Sequence, residues 1–228
     1  MPYLLHIETA TGICSVAISK NHQLLALKEA ADGFSHASKI TILIQEALQE
    51  ANIKITQVDA VAVSSGPGSY TSLRIGTATA KGICYALQIP LIVVDTLQAL
   101  ALASYQKIKK EDALYFPMID ARRMEVYTAA YDQKGIIQEA LEAKIITSDS
   151  FQELLEQGKS LVLSGNGAAK CQTVLSHDKL FYLDLVCSAQ YLIPIAYQFY
   201  QEAKFADIAY YSPTYFKAPN ITKAKKVL

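Results

Sequence analysis

A chain of 228 residues with 51% hydrophobic side chains carries enough apolar material for one large core or two smaller ones. Its 21 Lys+Arg balance 21 Asp+Glu, which excludes a protein held along nucleic acid by bulk charge and leaves only local basic patches. No apolar run approaches about 18 residues and no basic leader precedes the first apolar segment. The four cysteines form no C-x-x-C pair, so the reading is a cytoplasmic protein with buried free thiols.

Residues 3–7 read as a strand, Glu8-Thr9-Ala10-Thr11-Gly12 as a polar turn, 13–19 as an alternating strand, Asn21-His22 as a turn and 24–28 as a third strand. Asp32-Gly33-Phe34-Ser35 then opens a helix over residues 35–51. Ile40, Leu43, Ile44, Ala47, Leu48 and Ala51 fall on one apolar face of it, while Ile42 lies off that face beside Ser38 and Thr41. A β-branched strand at 58–63 leads into Gly66-Pro67-Gly68, and Ser69 is placed to cap a long helix, 70–88.

That second helix confines its long polar groups, Arg74, Lys81 and Gln88, to one line seven residues apart. Nearly everything else on it is apolar or small, so it is read as covered on several sides. Gly76 and Gly82 each cost about 1 kcal/mol relative to alanine in a helix interior, a cost that close approach by a neighbour would offset. Pro90 closes the helix, 91–94 is a fifth strand, and Asp95-Thr96 caps a third helix.

The charged run 107–112 marks the boundary between units 1–106 and 107–228. Beyond it, strands at 113–119 and 125–131 flank Asp120-Ala121-Arg122-Arg123, and 136–146 carries one or two more. Ser148 or Asp149 caps a short helix ending at Gly158, 161–163 is a strand, and 188–205 is one amphipathic helix with Leu192, Ile195, Ala196, Phe199 and Ala203 on a single side. The tail carries Lys217, Lys223, Lys225 and Lys226, and is expected to contribute little by itself. Helices on the faces of mixed sheets make this an α/β chain of two related units.

Few patterns carry chemistry. Gly66, Gly68 and Ser69 could bind an anion at a helix N-terminus, although Pro67 removes a donor and the run is not a P-loop. Glu8 and Asp120 end strands, where carboxylates either hold Mg²⁺ or merely cap turns. The four histidines show no metal-ligand spacing, and Ser69 has no nucleophile-elbow context.

Gly66-Pro67-Gly68-Ser69-Tyr70-Thr71-Ser72-Leu73-Arg74-Ile75-Gly76 resembles the most characteristic motif of the TsaB (YeaZ) family. The opening Ile7-Glu8-Thr9-Ala10-Thr11 with Cys14-Ser15-Val16-Ala17, the run from Asp120 through Tyr127, and Pro213-Thr214-Tyr215-Phe216-Lys217 are similar to further family segments, so the resemblance spans nearly the whole chain. It implies the actin- and Hsp70-like ATPase (ASKHA) architecture, two related mixed-sheet domains around a cleft. It also implies a non-catalytic partner of TsaD, with TsaE, in making threonylcarbamoyladenosine on tRNA. The H-x-x-x-H metal motif of TsaD is replaced here by Thr96 and Leu100, neither of which supplies an imidazole. The family's usual aspartate is Glu8 here, which shifts its carboxylate by roughly 1.5 Å.

Joined to the helical pattern, the resemblance puts the partner surface at Ser38, Thr41, Ile42, Gln45, Arg74, Ala78 and Lys81. It implies a homodimer in isolation, contact with tRNA through the complex, no catalytic residue, no metal, and no cofactor bound by this chain alone. ATP or ADP would enter only in the complex with TsaD and TsaE. The alternative is a sugar-kinase-like ATP-dependent phosphotransferase using Glu8 and Asp120.

Overall fold

The computed structural model describes residues 1–31 and 36–217. The front of the chain is the expected meander: β1 (Tyr3–Glu8), β2 (Cys14–Lys20) and β3 (Gln23–Ala30) pair antiparallel in sequence order, with Leu5 opposite Ile18. β1 is buried almost throughout and takes parallel partners on its other edge, β4 (Ala60–Ser64) and β5 (Leu91–Val94), giving the order β3-β2-β1-β4-β5. The crossovers are α1 (His36–Glu50) and α2 (Tyr70–Leu87). The predicted opening of α1 at residues 32–35 lies outside the described residues.

Downstream, α3 (Thr96–Ile108) leads through the charged run into a second sheet. There β6 (Ala113–Asp120), β7 (Glu125–Tyr131) and β8 (Ile137–Ile145) pair antiparallel, while β9 (Ser160–Ser164) and β10 (Leu180–Leu183) add parallel, in the order β10-β9-β6-β7-β8. Strand for strand this repeats the first sheet. Two mixed five-stranded sheets on one plan are the architecture expected of the actin- and Hsp70-like ATPases.

The sheets exchange their covering helices. α1 and α2 cover one face of the first sheet through Ile40, Leu43, Ile44, Ala80 and Cys84. The opposite face, Leu4, Ala60, Ile92 and Val94, is closed from the far end of the chain by Leu192, Ile195 and Ala196 of the 189–201 segment. α3 in turn packs on the second sheet, where Leu97, Leu100 and Ala101 meet Tyr115, Ile119 and Val162. Burial of such leucines contributes about 1.5–3 kcal/mol each, so this exchange welds the two lobes together.

Several local expectations are corrected. Residues 188–205 are not one helix: a 3₁₀ turn, Ala189–Leu192, precedes α6 (Ile193–Gln201). Pro194 lacks the amide that an unbroken helix would need there, and Ala203 turns left-handed at φ 52°. The helix after β8 shortens to α4 (Gln152–Glu156). Its N-cap is Phe151, and the Ser148 hydroxyl bonds the Asp149 carboxylate, so neither caps it. Residues 136–146 hold one strand, β8, within the one or two expected, whereas neither the short α5 (Ala168–Cys171) nor β10 was read from the sequence. All four cysteines are buried and free. Among the described residues no helix is long and apolar enough to cross a membrane.

Candidate partner face and interlobe cleft

α2 begins as its sequence dictates. The Ser69 hydroxyl accepts from the Ser72 amide at 3.4 Å and from the Ser72 hydroxyl at 2.9 Å. Its N-terminal half then sits directly on the β1–β2 loop. A Cβ on Gly68 would stand 2.3 Å from the Ala10 carbonyl oxygen, and one on Gly76 would stand 2.3 Å from Thr9 Oγ1. Those glycines answer a real close approach. Gly82 does not, since a Cβ there meets nothing within 4 Å. His36 at the start of α1 reaches the same loop, its Nε2 lying 3.0 Å from the Thr11 carbonyl.

The side of this helix pair turned away from the sheet is exposed, and the exposed charges of the pair are Glu46 and Glu50 on α1 and Arg74 on α2. Ser38, Thr41, Ile42 and Gln45 of α1 are exposed at helical spacing, with Ile42 at 49%. On α2, Thr71, Ala78, Gly82, Tyr85 and Ala86 are exposed, with Tyr85 at 75%. Five of the seven sequence-predicted partner residues, Ser38, Thr41, Ile42, Gln45 and Ala78, therefore share this surface.

Arg74 and Lys81 face the chain's own C-terminal segment. Lys81 Nζ donates to the Tyr211 and Ala209 carbonyls at 3.1 and 3.4 Å, and Arg74 Nε donates to the Tyr215 hydroxyl at 3.1 Å. The Arg74 guanidinium also lies over the Tyr70 ring, 4.5 Å from its centroid. The polar line on α2 is thus met from within the chain. Sequence reasoning missed this, although the two adjacent aromatic pairs, Tyr210-Tyr211 and Tyr215-Phe216, near the end of the chain were the available signal.

The same segment enters a cleft of about 1300 Å³ between the lobes. One wall is Ala10–Gly12 with residues 67–72, the other is residues 119–125 with Asn166, and residues 214–217 cross between them. The Thr214 amide donates to the Ser65 carbonyl at 3.0 Å. Tyr215 stacks on Tyr70 at 4.4 Å, Phe216 meets the Tyr127 ring edge-on at 5.8 Å, and Lys217 pairs with Glu125.

The two strand-end carboxylates do not meet across this cleft. Glu8 is 1% exposed, and its Oε1 accepts from the Ala10 amide at 2.6 Å and the Ser64 hydroxyl at 2.8 Å. Burial outweighs those bonds and pushes its pKa up to about 7. Asp120 does line the cleft, but it is ion-paired to Lys170 and accepts from the Arg122 amide at 2.9 Å. Lys170 also donates to the Arg123 and Glu125 carbonyls, and Asn166 Oδ1 accepts from the Asp120 amide. Neither lysine nor asparagine was singled out from the sequence. At the predicted anion turn, the Gly66 amide donates to Thr96 Oγ1 and the Ser69 amide to the Ala10 carbonyl. Gly68 lines the cleft wall.

Among the described residues no group of three or more His, Cys, Asp or Glu side chains converges. Thr96 is fully buried as an acceptor, and Leu100 is a core residue of the second sheet.

A family model described as "TsaD: tRNA N6-adenosine threonylcarbamoyltransferase" matches residues 30–227. The tRNA threonylcarbamoyladenosine biosynthesis protein TsaB of Escherichia coli (strain K12) is 30% identical over 220 residues, 94% of each chain. YeaZ from Pseudomonas aeruginosa superposes with a TM-score of 0.79 at 25% identity, covering 95% of this chain and all of that one. An inorganic polyphosphate/ATP-glucomannokinase from Arthrobacter matches at a TM-score of 0.52 and 12% identity, over 89% of this chain and 100% of its own, which shows a shared fold alone. With a relative matched end to end and the family's signature run folded as the cap and first turns of α2, the chain belongs to the TsaB (YeaZ) family.

Proposed function

We propose that this chain is a non-catalytic scaffold that docks on TsaD through the α1–α2 face. With TsaE as the third member, it would support transfer of threonylcarbamoyl to the tRNA adenosine next to the anticodon. The carrying observation is that face itself: an exposed surface of mostly uncharged side chains, with Ile42 and Tyr85 standing out and open space over Gly82. Such relief suits another helix packed alongside, and a stable complex would bury roughly 1,200–2,000 Å². Absent TsaD, the same face would pair two copies of this chain.

Burial of Glu8 and the Asp120–Lys170 pair support a scaffold over the phosphotransferase alternative, because neither carboxylate stands free to hold a cation. The chain is accordingly read as binding no cofactor by itself, with ATP or ADP and the tRNA brought in through the complex.

Ile42→Asp and Ala78→Asp test this. Each would bury an unpaired charge in the interface, at a cost of several kcal/mol. Both should lose co-purification with TsaD and self-association while melting like the parent chain. Normal complexes from both variants would refute the docking face, and thermal stabilisation by Mg-ATP would favour the phosphotransferase.

A further inference from the structure

The cleft has cations to spare. Its two wall carboxylates, Asp120 and Glu125, are each matched by a lysine, Lys170 and Lys217. That leaves Arg122 and Arg123, adjacent and exposed, with no ion pair or hydrogen bond to either guanidinium among the described residues. Their loop is nonetheless held in place. Lys170 ties the Arg123 and Glu125 carbonyls at 2.8 and 2.6 Å, and Asp120 accepts the Arg122 amide. Two preorganised, uncompensated arginines repel each other and attract any polyanion that reaches them.

Beside them the cleft offers apolar surface. Phe216 is 43% exposed against Tyr127, Ile145 is 67% exposed, and Met124 lies between the arginines and Glu125 in sequence. A cation pair next to an open aromatic ring suits a phosphate and a base together. With both wall carboxylates held by lysines, a metal-bound triphosphate finds no free cation ligand here. A phosphodiester needs none, because an arginine fork takes its single charge directly. The volume, about 1300 Å³, also exceeds the 300–1,000 Å³ usual for a small-molecule pocket.

We propose that this cleft binds a single-stranded segment of RNA, with phosphodiesters on Arg122 and Arg123 and one base against Phe216. The choice of RNA rests on the tRNA reading above; the site itself rests on the cleft. It would give the scaffold a direct hold on the substrate strand, beyond the docking role.

The test is fluorescence anisotropy of the full chain with an unstructured RNA of about 12 nucleotides, followed across a salt series. The Arg122→Gln/Arg123→Gln double variant should bind about tenfold or more weakly, with a log–log salt slope shallower by about 1.4, since each lost single-strand phosphate contact removes about 0.7. Phe216→Ala should weaken binding about tenfold with its slope unchanged. Arg122→Lys/Arg123→Lys should keep the slope, which covers the case in which the glutamine variant fails to fold. Lys159→Gln, at an exposed lysine outside both surfaces, should leave RNA binding untouched, and because this readout needs no TsaD the proposal and the docking face fail separately. Unchanged RNA binding by the folded arginine variant would overturn the proposal. So would absence of RNA binding by the parent chain, or competition by Mg-ATP at concentrations that displace the RNA completely.

Discussion

Gly76→Ala and Gly82→Ala form a matched pair six residues apart on one helix. Each gains the same intrinsic helix propensity, about 0.8–1 kcal/mol. At Gly82 the new methyl meets nothing within 4 Å, so the gain should appear in full. At Gly76 the methyl arrives 2.3 Å from Thr9 Oγ1 and 3.3 Å from Thr9 Cγ2. Thr9 is fully buried and β-branched, and its loop is pinned by the Ser69 amide on the Ala10 carbonyl at 2.7 Å, so it has little room to retreat. Overpacking of this kind costs about 1–3 kcal/mol. Because the propensity gain cancels in the comparison, that cost is the expected gap between the variants. For a chain of this length each kcal/mol moves the melting point by about 2–4 °C, giving a separation of roughly 2–12 °C. Urea titrations and thermal melts on both proteins measure it directly. Equal stabilisation by the two alanines would mean that α2 is not seated on the β1–β2 loop, and the account of its glycine would fail.

Glu8 gives a pH signature. Its folded pKa of about 7 lies above its ordinary value of 4.5, so the folded state holds the proton more tightly. The stability this contributes is complete below about pH 4.5 and is lost as pH rises through 7, by roughly 3 kcal/mol in all. Stability of the parent minus that of Glu8→Gln, measured from pH 4.5 to 8, should fall across this window; a flat difference would refute the burial argument. Leu192→Ala should cost about 2–5 kcal/mol in denaturant melts, because a fully buried side chain is removed from the face shared with Leu4 and Ile92. A fragment of residues 1–106 lacks that cover altogether and should bind a hydrophobic dye and aggregate, whereas a cooperatively folded fragment would show that the helix exchange is dispensable.

Much of this was legible in the chain because it is written locally. The alternation at 13–19 and the apolar runs at 58–63 and 91–94 announced strands, and the range 70–88 read between Ser69 and Pro90 matches the observed ends of α2 to within a residue. Wheel positions also separated Ile42 from the core face of α1, since helical period alone fixes which side chains point together. The misreadings arose where one residue overrides a period, as Pro194 does in the last helix.

What the sequence determined by itself was the order of strands and helices as far as β9, the capping of α2 and the family signature, all set within a few residues of the backbone. Tertiary structure alone decided what those elements meet. An apolar stripe encodes that it will be covered and not by what, so periodicity could not reveal that α3 closes the second sheet and the 189–201 segment the first. Charges obey the same limit. Asp120 finds Lys170 across 50 residues and Arg74 finds Tyr215 across 141, and Coulomb attraction and hydrogen bonding depend on distance in space, which only the folded chain sets.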